Sequence, residues 1–331
     1  MMVLGIETSC DDTSAAVFDG ARLLSNVIST QLIHRNFGGV VPELASRSHI
    51  RLLMPVVKQA LEQAGISKTD LEGIAVTYGP GLAGSLLAGL SAAKGLALGL
   101  NIPMIGINHL EGHIWGNLLE HPDIDYPFVV LVVSGGHTQL VLASAPGKFE
   151  LLGRTRDDAA GEAFDKVGKL LEIGFPGGPV IERLAKEGDA SKIKFPRAYL
   201  GDDSLDFSFS GLKTAVLNHV ERIGPDQTKA TLKDIAAGFQ QAVLDVLIDK
   251  TILAVQKMDV SNACIAGGVA ANKTLQHQLS RRGRSESIQV FWPSPSLCSD
   301  NAGMIAKAGY YYLTQGQRSP LSLSPDPSLN L

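Results

Sequence analysis

Residues 3–18 read VLGIETSCDDTSAAVF: an apolar run, a polar break at 9–12, and a second apolar run. Small and β-branched residues on both sides of the break predict a strand–turn–strand hairpin. The same construction returns at 128–143, FVVLVVSGGHTQLVLA, with a Ser-Gly-Gly turn in the matching place. An opening hairpin that occurs twice implies two halves of similar design.

Working outward, a third strand-like run follows each hairpin, RLLSNVI in the first half and FELLG in the second. The first half continues with an amphipathic helix over about 42–63, the strand GIAVTYG, an apolar helix over 82–100 and the strand PMIGI. The second continues through helices to NACIAGG, a helix from about Ala270, IQVFW, and a last helix over about 300–313. Periodicity and breakers give these elements. Three strands followed by strand–helix alternation imply a mixed α/β sheet with covered faces in each half. The expected arrangement has a cleft between the halves, with both hairpin turns facing it. The expected division is near 108: a first half over 1–108, rejoined by the C-terminal helix at about 300–331, and a second over 109–299 carrying a helical insert at about 157–258. The closing stretch SPLSLSPDPSLNL is rich in Ser and Pro and is expected to be poorly ordered.

With 331 residues and 45% hydrophobic side chains, the chain can bury a large core. A net charge of −4 argues against a free-standing nucleic-acid binder. Local cationic clusters remain, Arg281, Arg282 and Arg284 in one place and Lys192, Lys194 and Arg197 in another; each also reads as an ordinary solvated face. Cys10, Cys264 and Cys298 form no CxxC pair, which fits a reducing, cytoplasmic setting and no disulfide framework. The N-terminus enters an apolar strand without a basic region, so no signal peptide is expected. The 82–100 segment is long enough for a membrane, but its Gly, Ala and Ser content fits the buried helix of an α/β protein, and no membrane association is expected.

Several residues could carry chemistry. HLEGH, 109–113, puts His109 and His113 one helical turn apart, able to share a metal. In the HExxH pattern of zinc proteases the glutamate directly follows the first histidine; here Glu111 stands about 200° around the helix and faces away. Asp300, in CSDNAGMIA, is the best third ligand, although an Asp at a helix start also reads as a cap; Cys298 and His137 are weaker rivals. Two histidines and a carboxylate with open positions suit iron or zinc acting as a Lewis acid. The Ser134, Gly135, Gly136 turn can present backbone N–H groups to a phosphate. Gly267 and Gly268 are expected to open a helix after a strand, a second anion-binding feature, with Asn272 in its first turn. Asp165 on a helix and the Pro-Gly-Gly-Pro turn at 176–179 read, alone, as surface helix and loop.

Taken in order, GIETSCDDTSAAV, FGGVVPELASR, GPGLAGSLLAG, NHLEGH, VSGGHTQL, DDAAGEAFDK, FPGGP, DFSFSGLKT, AGGVAANKTL and SDNAGMIA resemble the TsaD (Gcp) family over nearly the whole chain. The resemblance implies an actin/Hsp70-like (ASKHA) fold of two RNase-H-like halves. It implies transfer of threonylcarbamoyl from threonylcarbamoyl-AMP to the N6 amine of adenosine 37 in tRNAs reading ANN codons. It implies one divalent metal ion per subunit, iron(II) or alternatively zinc(II), on His109, His113 and Asp300. Substrate contacts carry over to Val132, Val133, Ser134, Gly135, Gly136, Asp165, Gly178 and Asn272, and to Glu182 by likeness to archaeal-type members. Implied partners are tRNA, a TsaB-like paralogue docking on the helices near 42–64, and a TsaE-like ATPase. The chain departs from the bacterial pattern at Asp12, where CDET is usual; the carboxylate is kept and its reach shortened. Asp11, which matches, is our candidate proton acceptor. Rival readings are a metallo-endopeptidase, an Hsp70- or sugar-kinase-like ATPase, and a non-catalytic scaffold.

Overall fold

The computed structural model describes all residues, 1–331. The first hairpin is β1 (Val3–Glu7) and β2 (Asp12–Phe18), followed by β3 (Leu23–Thr30), α1 (Pro42–Ala64), β4 (Gly73–Gly79), α2 (Ala83–Leu100), β5 (Met104–Asn108) and α3 (His109–Glu120). The second is β6 (Phe128–Val133) and β7 (Thr138–Ala145), followed by β8 (Lys148–Arg154), α4 (Ala160–Leu170), α5 (Gly177–Ala185), α6 (Ser210–Ala230), α7 (Leu232–Lys257), β9 (Asn262–Ala266), α8 (Lys273–Ser285) and β10 (Gln289–Phe291). The short α9 (Pro295–Cys298) and α10 (Ala302–Thr314) close the chain.

Two five-stranded mixed sheets result, ordered β3-β2-β1-β4-β5 and β10-β9-β6-β7-β8. In each, the first strand of the hairpin is central, antiparallel to its hairpin partner and parallel to the next strand, β4 or β9. The duplication legible in the hairpins therefore extends to the topology.

The chain divides into two compact units, Met1–Pro122 with Ser294–Leu331, and Asp123–Pro293. The division expected near 108 falls after Pro122 instead. α3 packs along α10, and Gly112 sits where a Cβ would touch Ile305 and Met304, so α3 stays with the first unit.

Within that unit, β1 alternates its faces. Leu4 and Ile6 join a core cluster with Leu53, Val57, Leu90 and Ala93 of α1 and α2. Gly5 faces α10, where a Cβ would stand 2.3 Å from the carbonyl of Ala302; only glycine allows that approach. Glu7, two residues on, shares the α10 face of the strand.

Three expectations are corrected. Only a third of α2 is buried: Leu87 and Leu98 are 55% and 70% exposed. It is long and apolar enough to cross a membrane by length and composition, but its other side packs on β4 and α1. The closing stretch is ordered along the sheet edge: Ser319 donates to Met104, Asp326 to Tyr78, and the Asn108 amide donates to the carbonyl of Asn330. The carbonyls of Tyr78 in β4 and Met104 in β5 find partners there, which outweighs the Ser/Pro composition. Lastly, Asn301 rather than Asp300 caps α10, accepting from Met304 N at 3.1 Å.

Candidate metal centre and substrate loops

Strand β5 runs directly into α3 through Asn108, whose side-chain oxygen accepts from the amides of Leu110 and Glu111. The cap fixes the first turn, so His109 leads the helix and His113 follows one turn later on the same face. Asn301 takes the cap of α10, and the Asp300 carboxylate lies toward the two imidazoles. Its Oδ1 lies 3.5 Å from His109 Nε2 and 3.3 Å from His113 Nε2. One ligand atom from each residue lies within 4.8 Å of the other two. Cys298 is buried in α9 and His137 belongs to the second unit; neither joins this group.

Both imidazoles are buried, and neither ring nitrogen of His113 has a hydrogen-bond partner. A buried polar group left without one costs about 1–3 kcal/mol. A cation meeting Nε2 removes part of that cost, and a nitrogen, nitrogen, oxygen donor set with open positions is of the kind used by catalytic zinc and non-haem iron. The residues fit a divalent transition metal.

Glu7 is a member of the site that the sequence reading missed. Its Oε2 lies 2.9 Å from His109 Nδ1 and accepts from Thr77 Oγ1 at 2.6 Å, while Oε1 accepts from the backbone of Ser9. Ser9 Oγ also reaches His109 Nδ1 at 3.2 Å. A carboxylate on Nδ1 keeps a proton there and leaves Nε2, on the Asp300 side, as the nitrogen that can meet a cation, the usual support of a metal-binding histidine. The signal was present: Glu7 is a lone carboxylate ending an otherwise apolar strand.

The charges are mutually dependent. Burial alone would depress the His109 imidazole, but the charges of Asp300 and Glu7 and the Glu7 hydrogen bond push it up to about 9. Burial opposes the Glu7 carboxylate, yet His109 and Thr77 hold it below its ordinary value. Burial also raises the Cys10 thiol, and the charges of Asp11 and Asp300 both add to the effect, so these two carboxylates act on one neighbourhood.

Glu111 is turned elsewhere. It accepts from Trp115 Nε1 at 2.9 Å and from the Tyr312 hydroxyl, and burial raises its carboxyl. HLEGH therefore supplies two of the three side chains of the candidate metal site, and its glutamate is a structural hydrogen-bond acceptor.

In the second unit, Val132 and Val133 are buried at the end of β6, and the chain turns through Ser134 to Gly136 with Ser134 N donating to the carbonyl of His137. Gly135 and Gly136 are exposed, and no atom would meet a Cβ on either, so their backbone is open to a ligand. The carbonyl of Ser134 accepts from Gly161, which ties α4 to this turn. Asp165 on α4 accepts from the Gly177 amide at 2.7 Å, placing Gly178 at the start of α5. Glu182 accepts from the Lys273 amide at 3.0 Å. Gly267 and Gly268 lead into a short 3-10 turn, Gly268–Ala271, not the long helix expected. α8 starts beyond it, with Asn272 as the cap: its oxygen accepts from Leu275 and its amide donates to Gln240. The amide expected to be available to a sugar is thus engaged within the protein.

The TsaD sequence profile, tRNA N6-adenosine threonylcarbamoyltransferase, matches residues 22–307. The chain belongs to the TsaD family. It is 52% identical to the tRNA N6-adenosine threonylcarbamoyltransferase of Clostridium perfringens over 100% of this chain and 98% of that one. It is 53% identical to that of Syntrophus aciditrophicus over 98% and 96%. This TsaD-family chain is accordingly a transferase acting on tRNA. Among solved structures it resembles full-length HypF in a phosphate- and nucleotide-bound form, with TM-score 0.65 at 14% identity, covering 96% of this chain and 47% of that one. It also resembles component A of the (R)-2-hydroxyglutaryl-CoA dehydratase of Acidaminococcus fermentans, with TM-score 0.55 at 16% identity, covering 94% and 98%. These likenesses establish the ASKHA-type fold.

Proposed function

We propose that the chain transfers threonylcarbamoyl from threonylcarbamoyl-AMP to N6 of adenosine 37 in tRNAs reading ANN codons, at a divalent metal held by His109, His113 and Asp300. The convergence of those three side chains carries this reading. The metal, iron(II) in preference to zinc(II), would supply Lewis-acid polarisation of the carbamoyl group.

The mixed anhydride already has a good leaving group, whereas the adenine amine is a weak nucleophile, its lone pair delocalised into the ring. The protein's work is to orient the acyl donor and take the proton as the new bond forms. Glu7 holds His109 in the tautomer that keeps Nε2 available. The backbone at Ser134, Gly135 and Gly136, on the firm base of Val132 and Val133, receives the adenylate, with Asp165, Gly178, Glu182 and Asn272 as further contacts implied by family likeness. Asp11 accepts the N6 proton.

Help from other proteins belongs to this reading, because an acidic chain binds tRNA weakly. α1 and α2 expose Ile50 (72%), Met54 and Leu87, an apolar surface suited to a TsaB-like paralogue. A TsaE-like ATPase and a cytoplasmic setting complete the proposal.

The test uses purified protein with the partner proteins, tRNA, threonine, bicarbonate and ATP, and nucleoside mass spectrometry. Wild type is expected to form threonylcarbamoyladenosine. A His109→Ala/His113→Ala variant is expected to lose both metal content and transfer. Full turnover by that variant would refute the metal role.

A further inference from the structure

Helix α8 carries Lys273, His277, Arg281, Arg282 and Arg284 and no acidic residue. At about 100° per residue, Lys273, His277, Arg281 and Arg284 fall within an arc of about 80°, so they form one stripe about 16 Å long. All four are exposed. Arg282, off the stripe, pairs with Glu286 at 3.4 Å, whereas neither Arg281 nor Arg284 makes an ion pair.

The opposite face is anchored. Leu275, Gln276, Leu279 and Gly283 are buried, and α8 packs on α7 and β10. Gln278 and Gln241 exchange two hydrogen bonds that pin α8 to α7. At Gly283 a Cβ would stand 2.8 Å from Val290, so the helix lies close on β10 between two arginines. The cations are therefore presented from a rigid base, which lowers the entropy cost of binding.

Helix stability does not account for the stripe. Cations in the last turn favour the dipole, but Lys273 in the first turn opposes it, and like charges one turn apart repel. On a chain of net charge −4, three cations in one row that make no ion pair, Lys273, Arg281 and Arg284, fit an anionic partner. The tRNA substrate is such a partner, and the stripe begins one residue beyond Asn272.

We propose that the exposed face of α8, formed by Lys273, His277, Arg281 and Arg284, is a docking surface for the phosphate backbone of tRNA. This rests on tRNA being the substrate, and the experiment keeps the two apart.

Binding of unmodified tRNA to the complex with its partner proteins is measured by anisotropy across a salt series, for wild type, Arg281→Gln/Arg284→Gln, Arg281→Glu/Arg284→Glu, and the control Lys148→Glu/Lys229→Glu. Removing one cation–phosphate pair lowers the slope of log K against log salt by about 0.7–0.9. The glutamine pair is expected to flatten the slope by about 1.5, and the glutamate pair to weaken binding more than tenfold and raise KM for tRNA. Metal content and circular dichroism stay at wild-type values. Unchanged slope and affinity in the glutamate pair, or a loss no larger than the control's, overturns the proposal. Wild-type complex that modifies no tRNA overturns the substrate reading itself, and this inference with it.

Discussion

His109 Nδ1 lies 2.9 Å from a carboxylate oxygen of Glu7, a residue 102 positions earlier, and both side chains are buried. The strand β1 thus delivers a fixed acceptor to His109, the first residue of the helix that carries the two candidate histidine ligands. A glutamine there keeps the shape but can donate to Nδ1, which moves the imidazole proton to Nε2 and blocks that nitrogen. Glu7→Gln is expected to lower metal affinity about 10–100-fold. Chelator competition reads this directly; wild-type affinity in a well-folded variant excludes the positioning role.

The same pair sets a pH dependence. In the metal-free protein His109 titrates at about 9, above its ordinary 6.5. The folded value is the higher, so protonated His109 stabilises the fold fully below pH 6.5, and this contribution is lost as pH rises through 9. Urea unfolding of metal-free protein should show stability falling over that window, while metal-loaded protein, with no proton at His109 Nε2 to lose, should not share this loss. Calorimetric titration near neutral pH should also register proton release on metal binding.

Asp12 has the opposite character. Burial above all, with the charges of Asp300, Asp11 and Glu7, raises its carboxyl to about 7 against the hydrogen bond with Thr30, and its Oδ1 has no partner. Ionising it in the fold is costly: stability from this group is full below pH 3.8 and lost as pH rises through 7. In metal-free protein, Asp12→Asn should match wild type in acid and exceed it by about 2–4 kcal/mol above pH 7. Equal stability at both ends contradicts this.

The C-terminal strap is a structural member. Removing residues 326–331 deletes the bonds from Asp326 to Tyr78, from Gly81 to Pro327 and from Asn108 to Asn330, and should cost about 3 kcal/mol at about 1 kcal/mol each. A Cβ at Gly79 would stand 2.0 Å from the carbonyl of Asp326. Gly79→Ala should therefore cost about 1–3 kcal/mol in the full chain and much less in the truncated one. A double-mutant cycle on urea midpoints checks the coupling; additive effects mean that the clash lies elsewhere.

Much of the candidate metal centre was legible locally. His109 and His113 sit four apart on a helix begun by Asn108, and the 3.6-residue period alone puts them on one face. The misplaced glutamate of HLEGH excluded protease geometry for the same reason. Asp300 was harder, because a carboxylate before a helix can cap it or ligate; Asn301, one residue later, takes the cap in the structure. Glu7 and Thr77 stayed hidden, since nothing within β1 or β4 says which strands adjoin. The exposed side of α2 was misread because an apolar helix has the same composition whether protein covers it on one side or on all.

By itself the sequence determined the alternation of strands and helices, the repeated hairpin and the pairing of two histidines, since these follow from periods of two and 3.6 residues within one segment. Tertiary structure decided what depends on distant segments meeting: that Asp300 joins the histidines, that Glu7 orients one of them, that Asn272 is engaged by Gln240, and that a Ser/Pro-rich tail is held along β5. Burial and pairing of polar groups are set by neighbours far away in the chain, and a local pattern carries no record of them.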